Sequence, residues 1–347
     1  MKRLTFSLFF VLAIGILSLA QNESPEVFKP SGKVTGKIFL NYHLNITPDA
    51  NQLSAFEMNR AYFGYQYSFS KNISAKILLD GTKKSDASDY TMFVKNALVD
   101  WKVGDQFKFS GGIIGQTQFN TQEKLFGYRY VFKSMQDYYK MESTADLGIN
   151  AEIKPMDGFV ANVFLLNGEG YTDVQDNLGR MKVGANIAFN PVDELVLKGY
   201  YDMYGGKVES NLGEVVTDTA SIHTIGLFAG YKADVFRVGV DFTTQMNAKK
   251  YNTIASDLNR SGLAINGAYT LNDNIELFGE YLMLTSNTLE GATDPWNLNG
   301  DGSTIILGCQ YSPVKGVKGA LNYQGYYPAI DGADPTHMVY LNLELSF

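Results

Sequence analysis

Fixed charges set among aromatic rings are the main chemistry this chain offers. Residues Gln116–Thr144 read QTQFNTQEKLFGYRYVFKSMQDYYKMEST and place Lys124, Arg129, Lys133 and Lys140 against Glu123, Asp137 and Glu142. Such a segment suits the steering of small charged solutes through a narrow opening. Bond-making chemistry is thin. His43, His223 and His337 lie far apart, Cys309 is the one cysteine, and no Ser or Cys sits in a recognisable nucleophile setting. A hydrolase would need an acid–base constellation, so neither an enzyme nor a cofactor is expected. NLNGDGS, Asn297–Ser303, resembles the opening of a calcium loop, yet the place of the bidentate glutamate falls on Gly308. Turn chemistry explains that stretch better, and no metal is expected. With 29 Lys+Arg against 36 Asp+Glu and no basic stripe, nucleic acid is a poor partner.

The elements that must position these groups are strands. Tyr and Phe occur 22 times each and Gly 34 times, while few windows carry the spacing of an amphipathic helix. The closing run VYLNLELSF sets Val339, Leu341, Leu343, Leu345 and Phe347 on one face and Tyr340, Asn342, Glu344 and Ser346 on the other. An apolar stripe running to the last residue calls for a neighbouring strand to hold it. At the other end, MKRLTFSLFFVLAIGILSLA joins Lys2 and Arg3 to an apolar run and a small-x-small pattern at Ser18 and Ala20. That is the pattern of a cleavable signal peptide, residues 1–20. Its removal leaves 27 Lys+Arg against 36 Asp+Glu, a formal charge of −9. Beyond it no apolar run approaches the roughly 18 residues of a transmembrane helix, so any membrane crossing must be made by strands.

Stretches of alternating polarity recur along the chain, parted in turn by tight turns such as SKN, GDQ and NDN and by longer loops such as NITPDANQLS and TKKSDASD. Sixteen of them can be counted, from GKVTGKIFLNYHL to the closing run. An even number of antiparallel strands with short turns at one end and long loops at the other is the arrangement of an outer-membrane barrel. The expected fold is therefore all-β, a transmembrane antiparallel β-barrel of about 16 strands spanning residues 33–347. Residues 21–32 read as a short N-terminal periplasmic segment. Hydrocarbon offers no water to satisfy an open edge, so the last strand is expected beside the one containing Val34, Gly36, Ile38, Leu40 and Tyr42. Alternation alone would also suit a two-sheet sandwich; the signal peptide, the terminal Phe347 and the alternating connection lengths favour the barrel.

The charges assign the faces. Val183, Ala185, Ile187 and Phe189 form an apolar set against Lys182, Gly184 and Asn186. The same logic places Cys309 toward lipid with Ile305 and Leu307. It places Lys37, Arg60, Lys76, Lys108, Lys182, Lys198 and Arg237 inward, with acids that include Asp80, Asp100, Asp202, Asp241, Glu276 and Glu344. A 16-stranded barrel is wide enough for an aqueous channel. Gln116–Thr144 is then the third long loop, too aromatic to stand freely in water, and is expected to fold inward and narrow the pore. The alternative is a loop packed over the rim or against a neighbouring barrel.

FEMNRAYFGYQYSFSKNISAKILLD and EKLFGYRYVFKSMQDYYKMESTADLG resemble the porins of Bacteroidetes-type bacteria that are similar to the phosphate-selective porin O and P family. The resemblance implies a 16-stranded, often trimeric, outer-membrane channel of a Gram-negative cell, embedded in outer-membrane lipid and passing small hydrophilic solutes or ions, anions such as phosphate among them. It also implies assembly by the barrel-assembly machinery through the strand ending at Phe347. In that family basic lumen residues and an inward third loop guide anions; here Arg60, Arg129, Lys133 and Lys140 match by motif neighbourhood, and Lys37 and Lys76 join them as lumen cations. The lumen acids depart from a basic ladder, and Arg60 equally suits an ion pair with one of them. A non-conducting barrel acting as anchor or adhesin, with Gly205–Ala220 and Asn287–Gly302 as surface loops, is the other functional class.

Overall fold

A computed structural model describes residues 28–51, 53–83, 89–175, 179–205, 209–211, 214–216, 221–248, 259–287 and 300–347. The expected signal peptide and residues 21–27 lie outside these, as does much of the loops Gly205–Ala220 and Asn287–Gly302. Period-two alternation becomes strand wherever the sequence carries it. The first five strands are β1 (Ser31–Asn45), β2 (Ser54–Ser68), β3 (Ile73–Lys83), β4 (Tyr90–Val103) and β5 (Phe107–Gly115). The long insertion follows, with two short helices, α1 (Asn120–Phe126) and α2 (Met135–Tyr138). Next come β6 (Ala145–Ile153), β7 (Phe159–Leu166), β8 (Lys182–Val192) and β9 (Leu195–Tyr204). A separate two-stranded hairpin, β10 (Glu209–Asn211) with β11 (Glu214–Val216), interrupts the series and was not expected from the sequence. The chain finishes with β12 (Ile222–Lys232), β13 (Phe236–Met246), β14 (Arg260–Asn272), β15 (Ile275–Ser286), β16 (Gly302–Val314), β17 (Val317–Pro328) and β18 (Thr336–Ser346).

Sixteen of these strands close into one antiparallel barrel, each paired with its sequence neighbours and β9 with β12. The seam is β1 on β18, with Lys37 opposite Ser346 and Leu40 opposite Leu343. Gly36 and Phe347 exchange both backbone hydrogen bonds at 3.0 Å, so the barrel keeps no open edge. Gly36 is required there: a Cβ on it would lie 2.1 Å from the Phe347 ring.

The barrel is inside out relative to a water-soluble fold. Leu227 and Leu321 are 59% and 60% exposed on the outer wall, whereas Asp80 and Asp241 are 0% and 2% exposed within. A sandwich would bury its apolar face instead. The inward polar groups bond to one another, as in the ladder Asn150 to Asn162 (3.0 Å), Asn162 to Asn186 (3.1 Å) and Asn186 to Thr117 (2.6 Å). Cys309 is exposed on the outer wall, as expected. Outward rings collect toward both ends, Tyr42 with Phe56 (4.9 Å) near the long loops and Trp101 with Phe109 (5.9 Å) near the short turns. Among the described residues no helix is long and apolar enough to cross a membrane.

The apolar core lies in the lumen, between the inserted loop and part of the wall. Phe39, Phe278, Leu282 and Ile306 point inward to meet Tyr128, Tyr130 and Met135 of the loop. Polarity alone does not reveal this half of the inner surface, because its apolar side chains break the rule that inward means polar.

Candidate functional site

The third long loop enters the barrel, as expected, and each of its turns has a local cause. Its neck is tied where the Gln116 N–H donates to the Thr144 carbonyl at 3.1 Å. α1 ends at Gly127, whose φ of 80° lets its N–H close onto the Glu123 carbonyl. Lys140, at φ 52°, turns the chain back after α2. Small side chains on β14 make room: Ala264 and Ala268 are buried, and Met135 sits on Gly262, where a Cβ would lie 2.7 Å from its sulfur.

The loop is bonded to most of the far wall. The Tyr128 ring stacks on Phe278 at 4.0 Å, and its hydroxyl donates to Glu276 at 2.8 Å. The Tyr130 hydroxyl donates to Gln310 at 2.8 Å, and the Gln136 amide to Asp241 at 2.6 Å. Several cations read from the sequence as lumen lining serve as anchors for the loop instead. Lys198 donates to Asn120 at 2.9 Å and Thr121 at 3.0 Å. Lys182 pairs with Glu142 at 2.6 Å, and Arg237 reaches the Phe126 carbonyl and Glu276. Arg260, 2% exposed, donates to the carbonyls of Tyr139 and Lys140 at 2.9 and 3.0 Å. These anchors lie on β8, β9 and β13–β16, and on its other side the loop faces β2–β4.

The loop and the β2–β4 wall face each other across a close-set group of charges, the throat. Arg60 forms an ion pair with Asp80 and donates to the Tyr171 hydroxyl at 3.0 Å, and Tyr171 in turn donates to Asp80 at 2.7 Å. From the loop, Arg129 bonds Asp137 at 2.6 Å and approaches Glu123 at 3.4 Å, while Lys133 stands 3.9 Å from Asp137. Burial works against ionisation of Asp137. Arg129, followed by Lys133, Arg60 and Lys95, overrides it and holds the carboxyl below its usual range. Above the throat, toward the long loops, opens a cavity of about 1070 Å³ lined by Arg60, Arg129, Lys133, Lys140 and Tyr171 among others.

The structure thus brings together Arg60, Arg129, Lys133 and Lys140. Lys37 and Lys76 stand apart from the cavity. Lys37 lies beside the seam, 3.6 Å from Glu344, and Lys76 faces inward between Gln66 and Leu98, in the half of the wall nearer the short turns. The throat cation that alternation misses is Lys95. Counting back from the inward Asp100, it should face outward, but the β3–β4 register shifts so that Leu78 pairs with Asn96 and Leu79 with Val94. Lys95 is the extra residue of a bulge and turns inward, its Nζ 5.1 Å from the Tyr62 ring and 5.2 Å from the Tyr171 ring. A second shift, between Phe39 and Leu40, leaves Asn59 unpaired beside Arg60.

The histidines have neutral partners: His43 meets Asn41 at 2.9 Å, His223 meets Tyr201 at 2.8 Å and His337 meets Tyr323 at 2.6 Å. Asp301 of NLNGDGS accepts from the Ser286 backbone and hydroxyl, as a turn residue does. Among the described residues no cluster of His, Cys, Asp and Glu has the makings of a metal site.

No known family model matches the chain. No curated protein matches it either. Solved structures do. OmpF of Salmonella typhi, in complex with daunomycin, is similar with a TM-score of 0.66 at 13% identity, over 91% of this chain and 97% of that one. The anion-selective porin from Comamonas acidovorans gives 0.62 at 12% identity, over 92% and 100%. The trimer form of OmpT, an outer-membrane protein of Vibrio cholerae, gives 0.60 at 17% identity, over 91% and 100%. At these identities the likeness is one of fold, and the chain folds as a closed 16-stranded antiparallel barrel of the outer-membrane type.

Proposed function

We propose that this protein is a diffusion porin of a Gram-negative outer membrane, with its long loops outside the cell, its leader removed after residue 20, and small hydrophilic solutes passing through the throat beside the third loop. One observation carries the reading: an inside-out barrel whose folded-in loop leaves a cavity of about 1070 Å³ lined by charged side chains. The aromatic rings at both ends of the outer wall suit the two interfaces of a bilayer.

The throat favours anions. Arg60 and Arg129 are matched by Asp80 and Asp137, so the local excess rests on Lys95 and Lys133. Glu123, 3.4 Å from Arg129, offsets one of them, and an excess of one charge suits a general preference for anions, phosphate among them, more than a filter for phosphate alone. The motif resemblance to the phosphate-selective porins and the fold likeness to the anion-selective porin of Comamonas acidovorans both support this direction. The trimeric neighbour supports a homotrimer, and the terminal Phe347 supports assembly through the barrel-assembly machinery.

The test is a planar bilayer recording of the purified protein. Discrete conductance steps are expected in KCl, with a reversal potential on the anion side in a salt gradient. Absence of steps would sink the porin reading and leave a surface anchor or adhesin in its place.

A further inference from the structure

The vestibule above the throat carries features that bare inorganic ions have no use for. Phe132 and Tyr138 of the loop stand ring to ring at 4.6 Å, and Tyr138 is 38% exposed. Across the same cavity, Phe93 of β4 meets Tyr171 edge to face at 6.3 Å. Rings left partly open to a hydrated cavity are surfaces on which another ring can stack, and such stacking tolerates many partners.

The cations complete the picture. Among the described residues Lys95 has no carboxylate within ion-pair distance and lies against the rings of Tyr62 and Tyr171. Lys133, 44% exposed, sees Asp137 at 3.9 Å, but that carboxylate already takes Arg129 at 2.6 Å. Lys133, Phe132 and Tyr138 therefore line one space of about 1070 Å³, which admits a molecule of two rings, and Lys95 stands against the ring of Tyr171, which lines the same space.

Resting on the porin reading, the geometry points to a solute class: organic anions in which a carboxylate or phosphate is joined to a ring with an apolar face. Sugar acids and aryl acids share that chemistry. The ring stacks at Phe132 and Tyr138 while the anionic group is drawn to Lys133, with the charge of Lys95 beside Tyr171 adding to the attraction. An inorganic anion uses only the second half of this arrangement, and a neutral sugar only the first.

The test is blockade of single-channel KCl current by added probes. Digalacturonate or phthalate should block with an apparent affinity about tenfold or more tighter than maltose, succinate or inorganic phosphate, within reach of one stacking contact. Blockade by digalacturonate alone assigns sugar acids, and blockade by phthalate alone assigns aryl acids. The double variant F132L/Y138L, which keeps apolar bulk without rings, should still give discrete KCl steps and lose the tenfold preference. Equal blockade by succinate overturns the role of the ring, equal blockade by maltose overturns the role of the charge, and an unchanged preference in the double variant overturns the site. A barrel that gives no KCl steps fails before any probe is added, which separates failure of the porin reading from failure of this one.

Discussion

Replacing Tyr128 with alanine should release the inserted loop. Tyr128 is 1% exposed, its ring stacks on Phe278 at 4.0 Å with 23° between planes, and the Arg237 guanidinium lies 5.3 Å from the centre of the same ring. Truncating a buried aromatic costs about 3–5 kcal/mol, the cavity included. The lost hydroxyl adds little, because Glu276 keeps Arg237 at 2.6 Å and Gln310 at 3.1 Å. A loss of that size raises the population of undocked loop by about 150-fold to several thousand-fold. Single-channel records read it directly as the ratio of dwell times in a wider state and in the resting state. Tyr128→Phe keeps the stack and loses one hydrogen bond of about 1 kcal/mol, so it should change the ratio only about fivefold. Wild-type conductance and dwell times in Tyr128→Ala would refute the idea that this stack holds the loop.

Three further outcomes are expected. Lys95→Met should move the reversal potential in a KCl gradient toward the cation side; no movement would mean that the bulge charge does not meet passing ions. Gly36→Val places a side chain where the Phe347 ring sits, at an overpacking cost of about 1–3 kcal/mol, and should lower the folded fraction seen as heat-modifiable migration. Adding Phe347→Ala should restore it, and a single variant that folds like the wild type would contradict the seating of the ring. Asp137 has a carboxyl held below its usual 3.8, so its contribution to loop docking is present above that value and lost as pH falls through the lowered one. Channel noise should accordingly be flat from neutral pH down to about 4 and rise below it, whereas a rise near pH 6 would place the responsible group elsewhere.

All sixteen barrel strands were legible in the sequence, because a lipid face and a wet face impose period two and each short turn carries its own residues. The third loop was legible for a related reason: rings such as Tyr128 and Tyr130 cannot stay in water. What alternation hides is anything that breaks it. The bulge at Lys95 inverts the reading of one strand from that point, and no residue in TMFVKNALVD announces it. Phe39 and Phe278 look out of place on an inward face until the loop that covers them is in position. Lys182, Lys198 and Arg237 were legible as inward but not as anchors, since a lumen cation looks the same in sequence whether it faces water or a loop carbonyl. The hairpin of Glu209–Asn211 with Glu214–Val216 lies in a segment of ordinary loop composition, with nothing in its period to mark it.

The inserted loop is bonded to β8, β9 and most strands from β13 to β18, so it works as a strut across one side of a hollow tube. The width of the passage and the resistance of the wall to lateral squeezing then have a common origin. Widening the aperture by trimming the strut also softens the cylinder, so a roomier variant is expected to be a weaker one.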